Sequence, residues 1–191
     1  MNDANKLQEV PLELAYRLLN PGCVVLVSTG THGGRDNLLT IAWNMPARKD
    51  PPTLALVCSR EHFSYPLLSL TRELGINLMS GQYARAVHGC GSVSGFDVGD
   101  KFERFALSRV AASRIQAPLV AEAVAHLECR IAQEVSLGSS ALLVVNVIAA
   151  AASAEHFVDG HWRLDRGLTL LHHLGGGRFS VSGRALTVGS L

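Results

Sequence analysis

The chain has 191 residues and a formal net charge of +1, from 17 basic and 16 acidic side chains. That length suits one compact domain that buries about 70% of the surface its unfolded form exposes, without a metal or disulfide staple. So small a charge provides no overall field for a nucleic-acid backbone or an anionic membrane, and Lys6, Lys49 and Lys101 are too widely spaced to form a basic tail or polybasic anchor.

The N-terminal MNDANKLQEVPLEL has no basic region followed by an uninterrupted apolar run, so it does not read as a secretory signal. A helix is predicted over 11–19, with Pro11 early and Leu14, Leu18 and Leu19 close to one face; Asn20-Pro21-Gly22 stops it. CVVLVST (23–29) is apolar and β-branched enough for a core strand, THGGRDN (31–37) reads as a turn, and LLTIAW (38–43) as the partner strand. Along that second strand Leu39, Ile41 and Trp43 alternate with Leu38, Thr40 and Ala42, which places two small residues together on one side.

MPARKDPP cannot be a central strand, because Pro46, Pro51 and Pro52 would remove ladder donors. TLALVCS (53–59) resumes a strand. SYPLLSLTREL (64–74) suits a helix with Ser64 as N-cap and Pro66 in its first turn, GINLMS (75–80) a short strand, and QYARAVHG (82–89) a short helix ended by Gly89. GCGSVSGFDVGDKF is a glycine-rich loop. It is followed by a short helix at 101–107 and a broken helical piece near 118–125.

HLECRIAQEVSLGSSALLVVNVIAAAAS reads as two longer strands about a loop at 137–139, and FVDGHW carries an Asp-Gly hairpin signal. LTLLHHLGGGRFSV (168–181) reads as a loop-like connection ending in a final strand or tail. The most apolar stretch, ALLVVNVIAAAA, is too short to span a bilayer and contains Asn146. Many short strands interrupted by helices, without regular strand-helix alternation, predict a mostly β fold: an antiparallel barrel or sheet with peripheral helices. One domain over 1–191 is expected, its core at about 21–150 with a C-terminal extension.

Cys23, Cys58, Cys90 and Cys129 lack CxxC spacing and sit mostly in apolar runs, where a thiol behaves as a small hydrophobe; a reducing cytoplasm is the simplest setting. His172-His173 lack the HExxH, Cys/His cluster or carboxylate set of a metal centre, so no metal is expected. Ser92, Ser94 and Ser139 do not sit in a nucleophile elbow. GCGSVSG fits neither a P-loop nor a dinucleotide fingerprint and is equally readable as a plain turn or a ligand loop. Thr40, Ser59 and Ser64 offer short donors for carbonyl or phosphate oxygens, and Arg60 and Lys101 could compensate a phosphate dianion.

VVLVST (24–29), NLLTIAW (37–43), DPPTLALV (50–57), INL (76–78), the GxxSG and DKF pieces (91–95, 100–102) and AHLEC (125–129) resemble, in their order and spacing, the flavin reductase-like family. The resemblance runs from about Pro21 to Ala149 and continues more weakly through HHLGGGRF. It implies an FMN-binding split barrel in which the flavin ring lies against Leu39–Trp43, with Thr40 and Ala42 small so that a flat ring can approach. It also implies a phosphate site at Ser59, Arg60 and Ser64. Asn37, Thr40, Ala42, Trp43, Ser59, Arg60, Ser64 and Lys101 are therefore the candidate cofactor residues, and His172, His173 and Phe179 border a possible substrate pocket.

The implied chemistry is hydride transfer from NADH or NADPH to FMN, with electrons passed to free flavin, oxygen or a redox protein; no side chain has to act as a catalytic acid. The implied assembly is a homodimer with FMN near the subunit boundary, where the alanine-rich 149–154 segment and Trp162 could supply buried surface. The alternatives are an FMN-binding electron carrier that does not oxidise nicotinamide, and a non-redox ligand-binding barrel.

Overall fold

A computed structural model of the chain describes residues 23–31 and 34–186. The helix expected over 11–19 lies outside the described residues. Seven strands form one antiparallel sheet: β1 (Val25–Gly30), β2 (Asp36–Ile41), β3 (Asn44–Arg48), β4 (Thr53–Ser59), β5 (Glu73–Leu78), β8 (Ala125–Leu137) and β9 (Ser140–Ala152). Their order is β2-β1-β5-β8-β9-β4-β3. Three two-stranded ladders accompany it: β6 (Arg109–Val110) with β7 (Leu119–Val120), β10 (Phe157–Val158) with β11 (His161–Trp162), and β12 (Leu171–Gly175) with β13 (Arg178–Val181).

The two edge strands, β2 and β3, are separated in the chain only by Ala42 and Trp43. The Ile41 and Asn44 Cα atoms are therefore no more than about 11 Å apart, and a sheet whose opposite edges are tied so closely must curl round on itself. It does not close: among the described residues no ladder joins β2 to β3. Asn44 holds the corner, its Nδ2 donating to Ile41 O at 3.2 Å and Cys23 O at 2.9 Å. Pro46 sits in β3, where an edge strand tolerates the missing donor.

The curl explains why VVLV is a continuous apolar run. Val25 and Val27 point into the barrel with Leu39, Ile41, Leu56, Ile76 and Leu143. Val24 and Leu26 point outward with Leu38, beneath α2 (Ala84–Ser92) and α3 (Lys101–Arg104), and meet Met79, Val87, Phe102 and Leu171. Both faces of β1 are buried, so the usual polar alternation is absent. α1 (Ser64–Thr71) inserts Leu68 into the inner cluster.

Four local readings need correction. The segment near 118–125 is not helical: Leu119 and Val120 form β7, because Val120 N–H donates to Asn77 Oδ1 and Val120 O accepts from His126 Nε2, satisfying its backbone from β5 and β8. The 168–181 connection contains a hairpin, β12–β13, whose two-residue turn is Gly176-Gly177; Gly175 and Gly176 take φ 111° and 57°. Ser64 is the first residue of α1 rather than its cap, and Phe63 precedes it. Gly89 does not end α2, which runs on to Ser92.

Gly89 is instead a packing requirement, since a Cβ there would lie 2.2 Å from the Phe105 ring. In an exposed helix interior Gly→Ala stabilises by about 1 kcal/mol, whereas forcing atoms into packed contacts costs about 1–3 kcal/mol. Gly89→Ala is therefore expected to lower stability by about 1 kcal/mol in urea denaturation, where the helix-propensity effect alone would raise it.

Candidate functional site

Along the outer face of β2 the helical cover ends at Thr40. α2 ends at Gly91–Ser92, where a Cβ on Gly91 would lie 2.9 Å from Thr40 Cβ, so the glycine sets the close approach of the helix end to the strand. The loop before α1 and the β12–β13 turn rise on the other sides. Between them runs a groove made of three adjoining cavities of about 290, 260 and 370 Å³. His62 joins the first two, Thr40, Ala42 and His173 the last two, and Gly91 and Ser92 the first and third.

One end is polar. Asn37 Nδ2 donates to Ser64 Oγ at 2.8 Å, both residues being buried, and Ser92, Ser94 and Lys101 line the same cavity. Lys101 follows Asp100, whose side chain accepts from Glu103 N and caps α3. The lysine runs back under the groove, and its Nζ donates to Leu38 O at 2.9 Å and Cys90 O at 2.7 Å. An ammonium has three N–H bonds; two hold β2 against the end of α2, and the third is left for the cavity that Lys101 lines. Burial pulls its pKa below the ordinary 10.5. Gly95 packs beneath this end, where a Cβ would meet the Phe63 ring at 2.5 Å and Asn37 Oδ1 at 2.9 Å.

The other end is flatter and more aromatic. Thr40 and Ala42 form its floor, and Trp43, Val57, His88, His173 and Phe179 form its walls. Thr40 Oγ1 donates to Val87 O, which ties β2 to α2. At the junction, partial desolvation and the Lys101 ammonium hold the His62 imidazole below its ordinary range, against the pull of Glu61.

The structure thus brings Asn37, Ser64 and Lys101 to one end of a groove and Thr40, Ala42, Trp43, His173 and Phe179 to the other. Ser59 and Arg60 are not among the residues lining it. Arg60 reaches across to Glu134 on β8 at 3.1 Å, and Ser59 Oγ accepts from Glu61 N. His172 instead bridges to Cys23 through the backbone. Gly91, from the GCGSVSG stretch, lines the groove, as do His62 and His88, which were not singled out from the sequence; the one available signal for them was the i, i+4 spacing of His88 and Ser92 on α2.

The cysteines do not add a nucleophile. Burial pushes the thiols of Cys58 up to about 11 and of Cys90 and Cys129 up to about 12. Among the described residues no three His, Cys, Asp or Glu side chains are grouped to hold a metal, and no helix is long and apolar enough to cross a membrane. A larger cavity, about 720 Å³, lies away from β2, between residues 161–169 and 182–186.

The family model for the flavin reductase like domain matches residues 17–175. The chain belongs to the flavin reductase-like family. Among its relatives, the uncharacterized protein YddH of Escherichia coli strain K12 is 36% identical over 186 residues, covering 94% of this chain and 98% of YddH. The FMN-binding domain of a flavin reductases-like enzyme from Shewanella baltica OS155 superposes with a TM-score of 0.79 at 27% identity, covering 94% of this chain and 96% of that one. Flavoredoxin from Methanosarcina acetivorans shares the fold, with a TM-score of 0.78 at 19% identity over 97% of this chain and 95% of its own. The fold is accordingly the split barrel of this family, with its seam left open between β2 and β3.

Lys101 yields a pH test. In the interval between its lowered folded pKa and 10.5, the unfolded chain binds more protons, so this residue makes folding stability rise with pH there. A neutral amine still has two N–H bonds for the two carbonyls. Lys101→Met removes both hydrogen bonds and is expected to lose about 1–3 kcal/mol. Urea denaturation of both proteins should show the wild type's advantage growing as pH approaches 10.5; a constant difference would contradict this.

Proposed function

We propose that the chain binds FMN in the β2 groove and works as an NAD(P)H-dependent flavin oxidoreductase, passing electrons to free flavin, oxygen or a redox partner. The observation that carries the reading is the groove's polarity: a buried Asn-Ser-Lys set at one end and a flat floor of Thr40 and Ala42 at the other. The donor chemistry fits the group. An anionic phosphate suits a cation with an uncommitted N–H beside the hydroxyls of Ser64 and Ser94, and a planar ring suits a floor without bulky side chains. Bound FMN would supply the redox chemistry, taking up hydride and releasing electrons.

In this reading Lys101 and Ser64 hold the phosphate end, oriented by Asn37. Thr40 and Ala42 let the ring lie close to β2, and Trp43, His173 and Phe179 limit where it and the nicotinamide can sit. Of the residues expected around the phosphate, this reading keeps Ser64 and Lys101 and adds Asn37; Arg60 is paired with Glu134 and, like Ser59, does not line the groove. Support for FMN also comes from the Shewanella baltica FMN-binding domain, which matches nearly the whole chain.

The assembly that goes with this reading is a homodimer. Its support is the exposed run Ala150–Ala152 on β9 and exposed Met45 on β3, apolar surface that a second copy would cover. If both subunits border the site, FMN favours the assembled form by linkage.

Purified protein reconstituted with equal FMN and FAD should release mainly FMN on mass spectrometry. Anaerobic addition of NADH or NADPH should bleach the bound flavin. A flavin that nicotinamide does not reduce would leave an electron carrier, and a protein that takes up no flavin would overturn the reading. Ala42→Leu, which raises the floor, should weaken FMN binding by roughly tenfold or more through steric exclusion. Light scattering across a dilution series should show a dimer that persists to lower concentration with FMN than without.

A further inference from the structure

Asp36 and Asp100 each stand one residue before a member of the groove's polar end, Asn37 and Lys101, and one guanidinium holds both. Arg109 Nε donates to Asp36 Oδ2 and its Nη2 to Asp36 Oδ1, each at 2.8 Å, a forked pair that fixes the angle between the two groups as well as their distance. The same Nη2 donates to Asp100 Oδ1 at 2.9 Å, and Arg109 Cζ lies 4.2 Å from the ring centroid of fully buried Phe102. Lys101 is thereby gripped through the residues on either side of it. Asp100 Oδ1 also accepts from Glu103 N, so the guanidinium bears on the cap of α3 itself.

The arm that carries Arg109 is anchored away from the groove. β6 pairs with β7, where Val120 N–H donates to Asn77 Oδ1 on β5, and Ser108 N–H donates to Glu122. Arg109 lines none of the groove's three cavities, so any effect it has on a ligand there passes through other residues. What it touches are the two segments whose spacing sets the polar end. Lys101 Nζ ties α3 to β2 at Leu38 O, and Arg109 ties the same two elements at Asp36, on the other side of Asn37. Asn37, held between these ties, donates to Ser64 Oγ.

We propose that Arg109 is a positioning residue for the polar end: by holding Asp36 and Asp100 together it sets the reach from the Ser64 hydroxyl to the Lys101 ammonium, and with it the groove's preference for a phosphate-bearing ligand over the same ligand without phosphate. The inference rests on the flavin reading, in which FMN and riboflavin are that pair. Two other roles for the guanidinium lead to different outcomes. A cation acting through space would favour phosphate by its charge alone, whatever its hydrogen bonds, and an ion pair serving only the fold would leave the preference untouched.

FMN and riboflavin are titrated by flavin fluorescence into apoprotein of the full-length wild type, Arg109→Lys and Asp36→Asn, with the folding of each checked by urea denaturation. Wild type is expected to favour FMN by about tenfold or more, the share of charged hydrogen bonds to the phosphate. Arg109→Lys keeps the charge but cannot make the fork, and should cut that preference by about fivefold or more at unchanged riboflavin affinity. Asp36→Asn removes a negative charge from beside the site and should nonetheless cut the preference in the same way. The double variant should be no worse than either single one, because both break one contact. If one substitution prevents folding, the other carries the same test. A preference unchanged in both single variants, or one that rises in Asp36→Asn while Arg109→Lys retains it, would overturn the proposal and leave the flavin reading standing. Equal losses of FMN and riboflavin affinity would do the same, marking a role in the fold alone. A wild type that binds neither flavin would overturn the reading on which the inference rests, and one that binds both equally would remove the phosphate end from that reading and this proposal with it.

Discussion

Two residues, Ala42 and Trp43, connect the opposite edges of a seven-stranded sheet, and the rest of the molecule is arranged around that constraint. A sheet with free edges could twist open; one whose edges are tied within two residues has to curl. The curl creates an inside, filled by Leu39, Ile41, Leu56, Ile76 and Leu143. It also creates an outside that helices must cover wherever strand residues remain apolar, as α2 and α3 cover Leu26 and Leu38. Where that cover stops, just past Gly91 and Ser92, the seam of the barrel lies open along β2.

The groove's two characters follow from what terminates there. At the Asn37 end the loop before α1, the end of α2 and the start of α3 converge, bringing hydroxyls and buried Lys101, which donates to the carbonyls of Leu38 on β2 and Cys90 on α2. At the Ala42 end a glycine-turned hairpin adds His173 and Phe179 to the cover. Lys101 thereby has two roles that can be separated by measurement: a clamp between Leu38 and Cys90, and a cation facing the cavity. A buried ammonium satisfied by two carbonyls has a charge that neither carbonyl neutralises, which suits it to an anionic ligand.

Much of the barrel was legible because its strands obey local rules. β1, β4, β8 and β9 fall where β-branched and alternating runs placed them, and Asp159-Gly160 turns β10 into β11 with both residues at positive φ. The misreadings occur where partners distant in sequence decide. Alanines around 121–125 suggest helix, but Asn77 and His126 take the Val120 backbone groups. The glycines at 175–177 suggest a loop, but two of them make the turn of a hairpin anchored by Leu171 in the core. Likewise, the residue types of the site could be named from their resemblance to a family, yet the meeting of Asn37, Ser64 and Lys101 depends on the curl. So does the pairing of Arg60 with Glu134, which lies 74 residues away in the chain. His88 and His62 had no motif to mark them and became visible only as walls of the groove.

The central claim is that the open seam along β2 is the flavin site, and a crystal structure of the protein grown with FMN tests it most directly. The account predicts electron density for the ring over Thr40 and Ala42, with the phosphate within hydrogen-bonding reach of Ser64 and Lys101. Density for the flavin in the larger cavity between residues 161–169 and 182–186, or a β2 groove left empty at saturating FMN, would contradict it.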